Sequence, residues 1–489
     1  MVNQDKRHFF HQTIQVELHN VTSRLRQCPP DLLTTLRGCL SAKAPNYWFH
    51  PLVRKGLWDG TIHFLHSLHR TFPTGLLPTI IAKATLAGYR VNIDDCRGTL
   101  TKPNLSLKLQ GVTLRDHQIA AVADVVRNRL NDKWLTPWPR GIIQSPTGSG
   151  KTLMAIALCQ VYKEPAVILV NQKGILAQTA AAYERYAGEE CSIIGDGRCE
   201  RGKRVTIATV QSIIEYWDAL EEADWFADKR VLISDEGHHV PSDTWTKCSE
   251  GFVQAPVRIA LSATPYIEGD PVQQLGLRGQ TGDRVSIISD ATLVKERIIS
   301  PVTVTYLEIL GPRQVTIDVP DEAGNLHPVL VDSENLKYPD AYEHLIVHNH
   351  FRNGSLVDWV ATAPKPSLIL VARKAHGHIL SSTLGCPFLS GQHSGRTRMQ
   401  MMAKMDQGKE PVVVATTIAD EGLDVPSMGS VVLGGGWKAA HKVIQRIGRG
   451  RRGDTMLQVL DFMDLAHPTL REHSENRRQT AQRCGFVVK

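Results

Sequence analysis

Residues 141–162 read GIIQSPTGSGKTLMAIALCQVY. A short apolar run passes into a loop of Gly, Ser, Thr and Pro, then into a stretch with the composition of a buried helix. The order strand, loop, helix matters because the backbone amides of such a loop form an anion cradle, and the helix amino terminus adds positive potential. Ser145, Pro146, Thr147, Gly148, Ser149, Gly150, Lys151 and Thr152 are therefore candidate ATP-binding residues. Lys151 is placed to reach the β- and γ-phosphates and Thr152 to ligate Mg2+. The strict pattern opens on Gly, and here that position is Ser145. A chance Gly-rich turn would share the loop residues but not the strand before it and the helix after it.

Working outward, short β-branched runs recur between helical stretches: AVILVN (166–171), RVTIAT (204–209), RVLISDE (230–236) and RIALSAT (258–264), then SLILVA (367–372), PVVVATT (411–417), SVVLGGG (430–436) and MLQVLDF (456–462). Runs of this kind are buried parallel strands, and the intervening segments are long enough for crossover helices. The class is α/β. The runs fall into two sets, separated by a mixed region at about 265–360 that holds ISPVTVTYLEIL (299–310), and the expected domain boundary lies near residue 300.

Before residue 100 the pattern differs. TIQVELHNV (13–21) has strand character, DLLTTLRGCL (31–40) and GLLPTIIAKATLAGY (75–89) have helical character, and RVNID (90–94) closes the segment before a polar linker, GTLTKPNLSLKLQG (98–111). This is a small α+β domain. Residues 1–110 carry fourteen Lys and Arg against six Asp and Glu, a balance of +8 that leaves −1 for the rest of a chain whose net charge is +7. A basic segment concentrates on polyanions, although a merely soluble basic surface has the same composition.

The 489 residues, 42% hydrophobic and 21% charged, suit two or three ordinary domains. No apolar run approaches a membrane span, and MVNQDKRHFFHQ (1–12) has no apolar signal-peptide core, so a cytoplasmic protein without a membrane partner is expected. Nine scattered cysteines without a Cys-x-x-Cys pair imply reduced thiols and no structural metal.

At the end of RVLISDE the strand delivers Asp235 and Glu236 to the edge where parallel sheets bind ligands. An Asp there can hold Mg2+, while the adjacent Glu polarises an attacking water. A solvated turn is the plain alternative. A metal site on His238 and His239 is a sharper one, but it lacks a third ligand at useful spacing.

Taken in order, SPTGSGKT (145–152), DEGH (235–238), SAT (262–264) and QRIGRGRR (445–452) resemble motifs I, II, III and VI of superfamily 2 helicases. The resemblance implies two tandem RecA-like domains with parallel sheets, preceded by the small α+β domain: 1–105 as a basic DNA-binding accessory domain, 106–300 as the ATP-binding helicase domain and 301–489 as the carboxyl-terminal helicase domain. It also assigns roles. LRDHQ (114–118) resembles the entry motif that reads adenine, which gives Arg115 and Gln118 to the nucleotide. VNQKGILAQ (170–178) and TVQS (209–212) resemble motifs Ia and Ic, which track a strand's backbone; they give Asn171, Gln172, Lys173, Gln178, Thr209, Gln211 and Ser212 to nucleic acid.

LVARKAHGHIL (370–380) and SGQHSGRTR (390–398) resemble the motif IV region and add Arg373 and His393. ATTIADEGLDVP (415–426) resembles motif V, adding Thr416 and Thr417 on nucleic acid and Gly422 and Asp424 on ATP. By the same resemblance Ser262, Thr264 and His238 relay between the two ligands. Gln445, Arg449 and Arg452 face the γ-phosphate from the second domain, the arginines as fingers that accelerate phosphoryl transfer by about 10³ to 10⁵.

FHPLVRKGLWDG (49–60) followed by FPTGLLPTIIAKATLAGYRVNI (72–93) resembles the accessory domain of UvsW-like phage recombination helicases, enzymes associated with branched DNA. Within it Tyr47, Trp48, Phe49 and Trp58 are expected in the core, with Arg54 and Lys55 on phosphates.

The implied function is ATP- and Mg2+-dependent DNA translocation, 3′ to 5′, by a monomer that remodels branched DNA through junction migration, fork regression and R-loop or D-loop unwinding in recombination, repair and replication. In a phage-encoded protein the compartment would be the host cytoplasm. Single-stranded DNA fits the motor motifs as well as branched DNA does. RNA or an RNA–DNA hybrid stays open as a partner, because these motifs grip phosphates. An RNA helicase and the motor subunit of a restriction or defence complex are the alternatives; a non-catalytic binding protein is disfavoured by the presence of Lys151, Glu236, Arg449 and Arg452. Two departures stand out. Motif II has Gly237 where Ala or Cys is commoner, and residues 316–340 have no counterpart and read as a solvated β-hairpin, with a contact to DNA as the alternative.

Overall fold

The computed structural model describes residues 12–106, 108–130, 136–146, 148–267, 269–298, 301–321, 325–416, 428–436, 456–483 and 485–489. The chain passes from one compact unit to a second between Ile288 and Ser289. Within them lie the two RecA-like domains and the small α+β domain.

In the first unit an eight-stranded sheet runs Arg198–Cys199, Ser192–Gly195, Val205–Thr209, Ala166–Val170, Val231–Asp235, Val257–Ser262, Arg140–Gln144 and Arg284–Ile287. Every neighbouring pair is parallel except the first. The central strands are buried along their whole length, as their unbroken β-branched composition demands. Helix Lys151–Tyr162 is buried from Met154 onward and so is apolar nearly all round rather than striped.

The register decides the function of this sheet. Ser262 pairs with Gln144, Asp235 with Leu261, Ser234 with Leu169, and Thr209 with Val170. All five strands therefore end at one edge, and every motif between residues 145 and 264 begins there.

The amino-terminal sheet has the order Thr71–Pro73, Thr22–Gln27, Gln12–Leu18, Tyr89–Asp95; its last pair is parallel and the others antiparallel. Helices Pro30–Cys39 and Leu77–Leu86 supply Leu32, Leu36, Leu77, Ile80 and Ala84 to a core with Ile14, Val16, Leu18, Leu25 and Phe72. That core does not stop at its own domain: Leu130 and Trp138 belong to it, and Leu275 packs against it.

The joint with the first motor sheet is made of backbone as much as of side chains. Arg140, fully buried, donates from Nε to the Thr281 carbonyl at 3.0 Å, from Nη1 to the Asn20 carbonyl at 2.9 Å and from Nη2 to the Gln280 carbonyl at 2.9 Å. Its guanidinium also lies over Trp138, 5.2 Å from the ring centre. Burial, aided by the neighbouring Arg258 charge, holds Arg140 well below its usual pKa. Arg278 Nη2 donates to Thr79 Oγ1 at 2.7 Å, and Asn20 Nδ2 to the Val253 carbonyl at 3.0 Å. Gly75 lies so close to the Arg278 and Gly279 carbonyls that a Cβ has no room.

In the second unit seven strands are parallel throughout: Phe388–Leu389, Val412–Thr416, Ser367–Val371, Ser430–Leu433, Leu457–Asp464, Val302–Ile309 and Val487–Val488. Two buried ion pairs brace strand Leu457–Asp464: Arg477 Nε meets Asp461 Oδ2 at 2.9 Å, and Arg352 Nε meets Asp464 Oδ1 at 2.8 Å. Strands Gln314–Pro320 and Leu326–Asp332 form the expected hairpin, its second strand almost wholly exposed. Among the described residues no helix is long and apolar enough to cross a membrane.

Candidate nucleotide and nucleic-acid site

The loop after strand Arg140–Gln144 takes up left-handed backbone at Gly148 (φ 87°) and Gly150 (φ 84°), a conformation that glycine adopts without steric cost. Gly150 caps helix Lys151–Tyr162, and a side chain there would fall on the amide of Gln118. Gln118 is itself buried, its Oε1 accepting from the Arg115 backbone N–H at 3.0 Å. The adenine-reading residue expected from LRDHQ is thus packed against the phosphate loop, while Arg115 is exposed. Ser145 is fully buried; its N–H donates to the Ser262 carbonyl at 3.0 Å, and its hydroxyl has no partner among the described residues.

Two strands away, Asp235 closes strand Val231–Asp235 and accepts from the Glu236 N–H at 3.0 Å. Burial pushes its carboxyl up to about 6, and the Glu236 charge adds to this, while Lys151 pulls the other way. A cation would relieve this buried, desolvated carboxylate, so the residues fit a divalent ion of the Mg2+ class. Glu236 sits at φ 52°, unusual for a side chain with Cβ, and its Oε2 is buried with no hydrogen-bond partner among the described residues.

His238 links this carboxylate to the next strand. Its Nδ1 lies 3.5 Å from Glu236 Oε2 and 3.4 Å from Ser262 Oγ, and Ser262 Oγ accepts from the Thr264 N–H at 3.3 Å. Its ring lies against that of His239, centroids 4.1 Å apart and planes tilted by 37°. Neither histidine is in the sole metal-competent trio found among the described residues, Glu17, His19 and Cys96, where Arg26 already holds Glu17 at 2.7 Å.

Gln273 was not legible in the sequence. Its Nε2 donates to the Pro265 carbonyl at 3.0 Å and the His238 carbonyl at 3.3 Å, and its Oε1 accepts from the Ile267 N–H at 3.2 Å. Helix Pro271–Gln280 is thereby fastened to motifs II and III near its start and to the amino-terminal domain at its end. The only sequence signal was a buried Gln in an amphipathic helix.

Gly237 explains the departure in motif II. A Cβ there would lie 2.6 Å from the Cβ of Ala260 on the buried strand Val257–Ser262. Gly237→Ala is expected to destabilise the first unit by about 1 to 3 kcal/mol through overpacking. The additional change Ala260→Gly should restore most of it. Thermal unfolding of the single and double variants checks this, and two purely additive losses would contradict it.

Further along the same edge, Asn171 and Gln172 are half-buried, and Lys173, Gln178 and Gln211 are exposed. Thr209 caps helix Val210–Glu215, and its hydroxyl donates to Ser212 Oγ at 2.9 Å, which leaves Gln211 as the exposed member of that trio. In the second unit Arg373 pairs with Glu343 and lies 4.7 Å from the Tyr342 ring centre; His393 Nδ1 accepts from the Ser390 N–H at 3.1 Å, and Thr416 is buried. Thr147, Thr417, Gly422, Asp424, Gln445, Arg449 and Arg452 lie outside the described residues.

Arg54 and Lys55 are exposed. The aromatic residues beside them correct the sequence reading. Trp48 and Phe49 are 55% and 62% exposed rather than in the core, and Tyr47 and Trp58 are half-buried.

Three family models match along the chain. Residues 13–94 match the family described as DNA helicase UvsW, N-terminal; residues 111–267 match the Type III restriction enzyme, res subunit; and residues 356–454 match the Helicase conserved C-terminal domain. The chain is a UvsW-like superfamily 2 helicase.

Relatives of this helicase include "Putative helicase 22" of Sulfolobus islandicus filamentous virus, 27% identical over 78% of this chain and 68% of the relative. "DNA 3'-5' translocase XPB2" of Sulfurisphaera tokodaii is 26% identical over 69% of this chain and 78% of the relative. Among solved structures, the "ATP-dependent Type ISP restriction-modification enzyme LlaBIII bound to DNA" shares the fold over 80% of this chain and 32% of its own, with a TM-score of 0.53 and 13% identity. The helicase is an ATP-dependent enzyme.

Proposed function

We propose that this helicase translocates 3′ to 5′ along one DNA strand and remodels branched DNA by junction migration, fork regression and displacement of R-loops or D-loops. The carrying observation is the strand register of the first motor sheet. Motifs I, III and II end neighbouring strands on one side, and motifs Ia and Ic end the next two, so the nucleotide and the DNA strand meet one continuous edge.

In this reading Lys151 binds the phosphates, Thr152 and Asp235 hold Mg2+, and Glu236 orients the water. The ion would neutralise charge developing on the transferred phosphoryl group. Gln445, Arg449 and Arg452 act on the γ-phosphate, as the family resemblance implies. Through Ser262, Thr264 and His238 a change at the phosphates reaches the strand-tracking loops. The name of the archaeal relative supports the polarity. The match of residues 13–94 supports residues 1–105 as accessory domain, the other two matches support 106–300 as the ATP-binding domain and 301–489 as the second motor domain, and the branched substrate rests on the family resemblance.

Steady-state ATPase with Mg2+ at one fixed salt concentration tests this, comparing no nucleic acid, single-stranded DNA, forked and four-way DNA, and single- and double-stranded RNA. Strongest stimulation by forked or four-way DNA is expected. Preferential stimulation by RNA would replace the reading with an RNA helicase, and no stimulation would point to a motor that requires a partner chain.

A further inference from the structure

We infer that the tip formed by residues 44–60 stacks on the exposed base at a single-strand/double-strand junction, with Trp48 and Phe49 as the stacking faces. This inference rests on the branched-DNA reading. The tip springs from a two-stranded ribbon, Ser41–Lys43 with Thr61–His63. Its base is fastened: the Ala44 N–H donates to the Gly60 carbonyl at 2.8 Å, and Trp58 Nε1 donates to the Thr61 carbonyl at 3.0 Å.

The four aromatic residues divide into two pairs. The Tyr47 ring occupies the space over Gly60 that a Cβ would need, and Trp58 packs edge-on against His50 at 5.1 Å. These two build the tip. Trp48 and Phe49 lie on a short 3-10 turn, 5.9 Å apart, Trp48 also edge-on to Tyr47 at 5.3 Å, and both are mostly exposed; Leu52 and Leu57 are exposed too. Burying them would have been worth several kcal/mol of hydrophobic stabilisation, so their exposure asks for an occupant.

Charge selects its chemistry. The only acid between residues 44 and 60 is Asp59, and Lys43 engages it at 3.2 Å. Arg54 lies 5.8 Å from the Phe49 ring centre, and Lys55 follows it on the exposed surface. Aromatic faces next to cations that have no acidic partner among the described residues suit a base with its phosphate, since every base offers a π-face and the backbone is anionic. An intact duplex covers its base faces by stacking. A junction leaves one uncovered, so an exposed aromatic pair distinguishes a branch from continuous duplex.

The test measures binding of the full chain to forked DNA and to blunt duplex whose end faces are blocked by bulky terminal caps, by fluorescence anisotropy over a salt series. The Trp48→Ala, Phe49→Ala double variant should unfold at the wild-type temperature and lose about tenfold or more in fork affinity. It should lose little on blunt duplex, and its salt slope should be unchanged. The Trp48→Phe, Phe49→Tyr variant should bind the fork like wild type. Arg54→Ala with Lys55→Ala should flatten the salt slope by about 1 to 2. Wild-type fork affinity in the double-alanine variant, or equal losses on fork and blunt duplex, would overturn the inference. If the wild-type chain itself shows no preference for forked or four-way DNA, it is the branched-DNA reading that fails, whatever the variants do.

Discussion

Glu236→Gln is expected to bind ATP with near wild-type affinity and to hydrolyse it about 10² to 10⁴ times more slowly, the range lost with a positioned general base. The substitution keeps the shape of a side chain held on left-handed backbone at φ 52°, where neither Glu nor Gln is favoured over the other, so the local fold should survive. It removes the charge whose buried oxygen has no hydrogen-bond partner among the described residues. It also removes one of the two influences that raise the Asp235 carboxyl, so metal-dependent nucleotide binding should persist. Steady-state turnover with DNA and Mg2+, beside equilibrium binding of a fluorescent ATP analogue, separates the two effects. Turnover within tenfold of wild type would mean that another group orients the water.

Arg140→Ala should cost the first unit on the order of 3 kcal/mol or more. The buried carbonyls of Asn20 and Thr281 would each lose their Arg140 donor, at about 1 to 3 kcal/mol per unsatisfied group, while that of Gln280 keeps Arg258 Nε at 3.2 Å, and a cavity would remain beside Trp138. For a unit of this size that is a fall in Tm of roughly 6 to 12 °C. Because the three carbonyls belong to two different sheets' surroundings, the amino-terminal domain and the first motor domain should lose stability together. A scan in which only one of them melts earlier would show that the joint carries less than its hydrogen bonds imply. Gly75→Ala attacks the same joint from the other side, by steric overlap with the Arg278 and Gly279 carbonyls. For the same reason, deletion of residues 1–105 is a poor probe of DNA selectivity, since it would bare the guanidinium of Arg140 and the apolar surface around Trp138 and Leu275. The exposed tip offers a cleaner one.

The sequence was most informative where one residue pattern allows one structure. The loop before Lys151 and the runs ending at Asp235 and Ser262 needed only their periodicity and glycines to be placed on strand ends. Strand Arg284–Ile287 escaped notice because it is a half-exposed edge of four residues with no apolar run. Trp48 and Phe49 were misread because composition cannot tell an aromatic ring that packs over a glycine, as Tyr47 does, from a neighbour that stays mostly exposed. Nor does RGIIQ announce that its arginine is fully buried: the carbonyls that receive Arg140 come from residues 20, 280 and 281, and only the fold brings them together. Gln273 was hidden for the same reason. The roles at 445–452 came from family resemblance rather than from any local rule.

Helix Pro271–Gln280 also has a consequence for synthesis of the chain. Its Arg278 bonds to Thr79, 199 residues earlier. At about 5 to 20 residues per second, the amino-terminal domain leaves the ribosome roughly 10 to 40 s before that partner exists. During this interval the surface that will receive Leu275 and the pocket at Gly75 face water, and the Asn20 carbonyl waits for Arg140, which emerges well before the helix that completes the joint. The nascent domain therefore spends its first seconds as an incomplete core, and chaperone demand during expression should fall on this stretch of the chain rather than on the second motor domain.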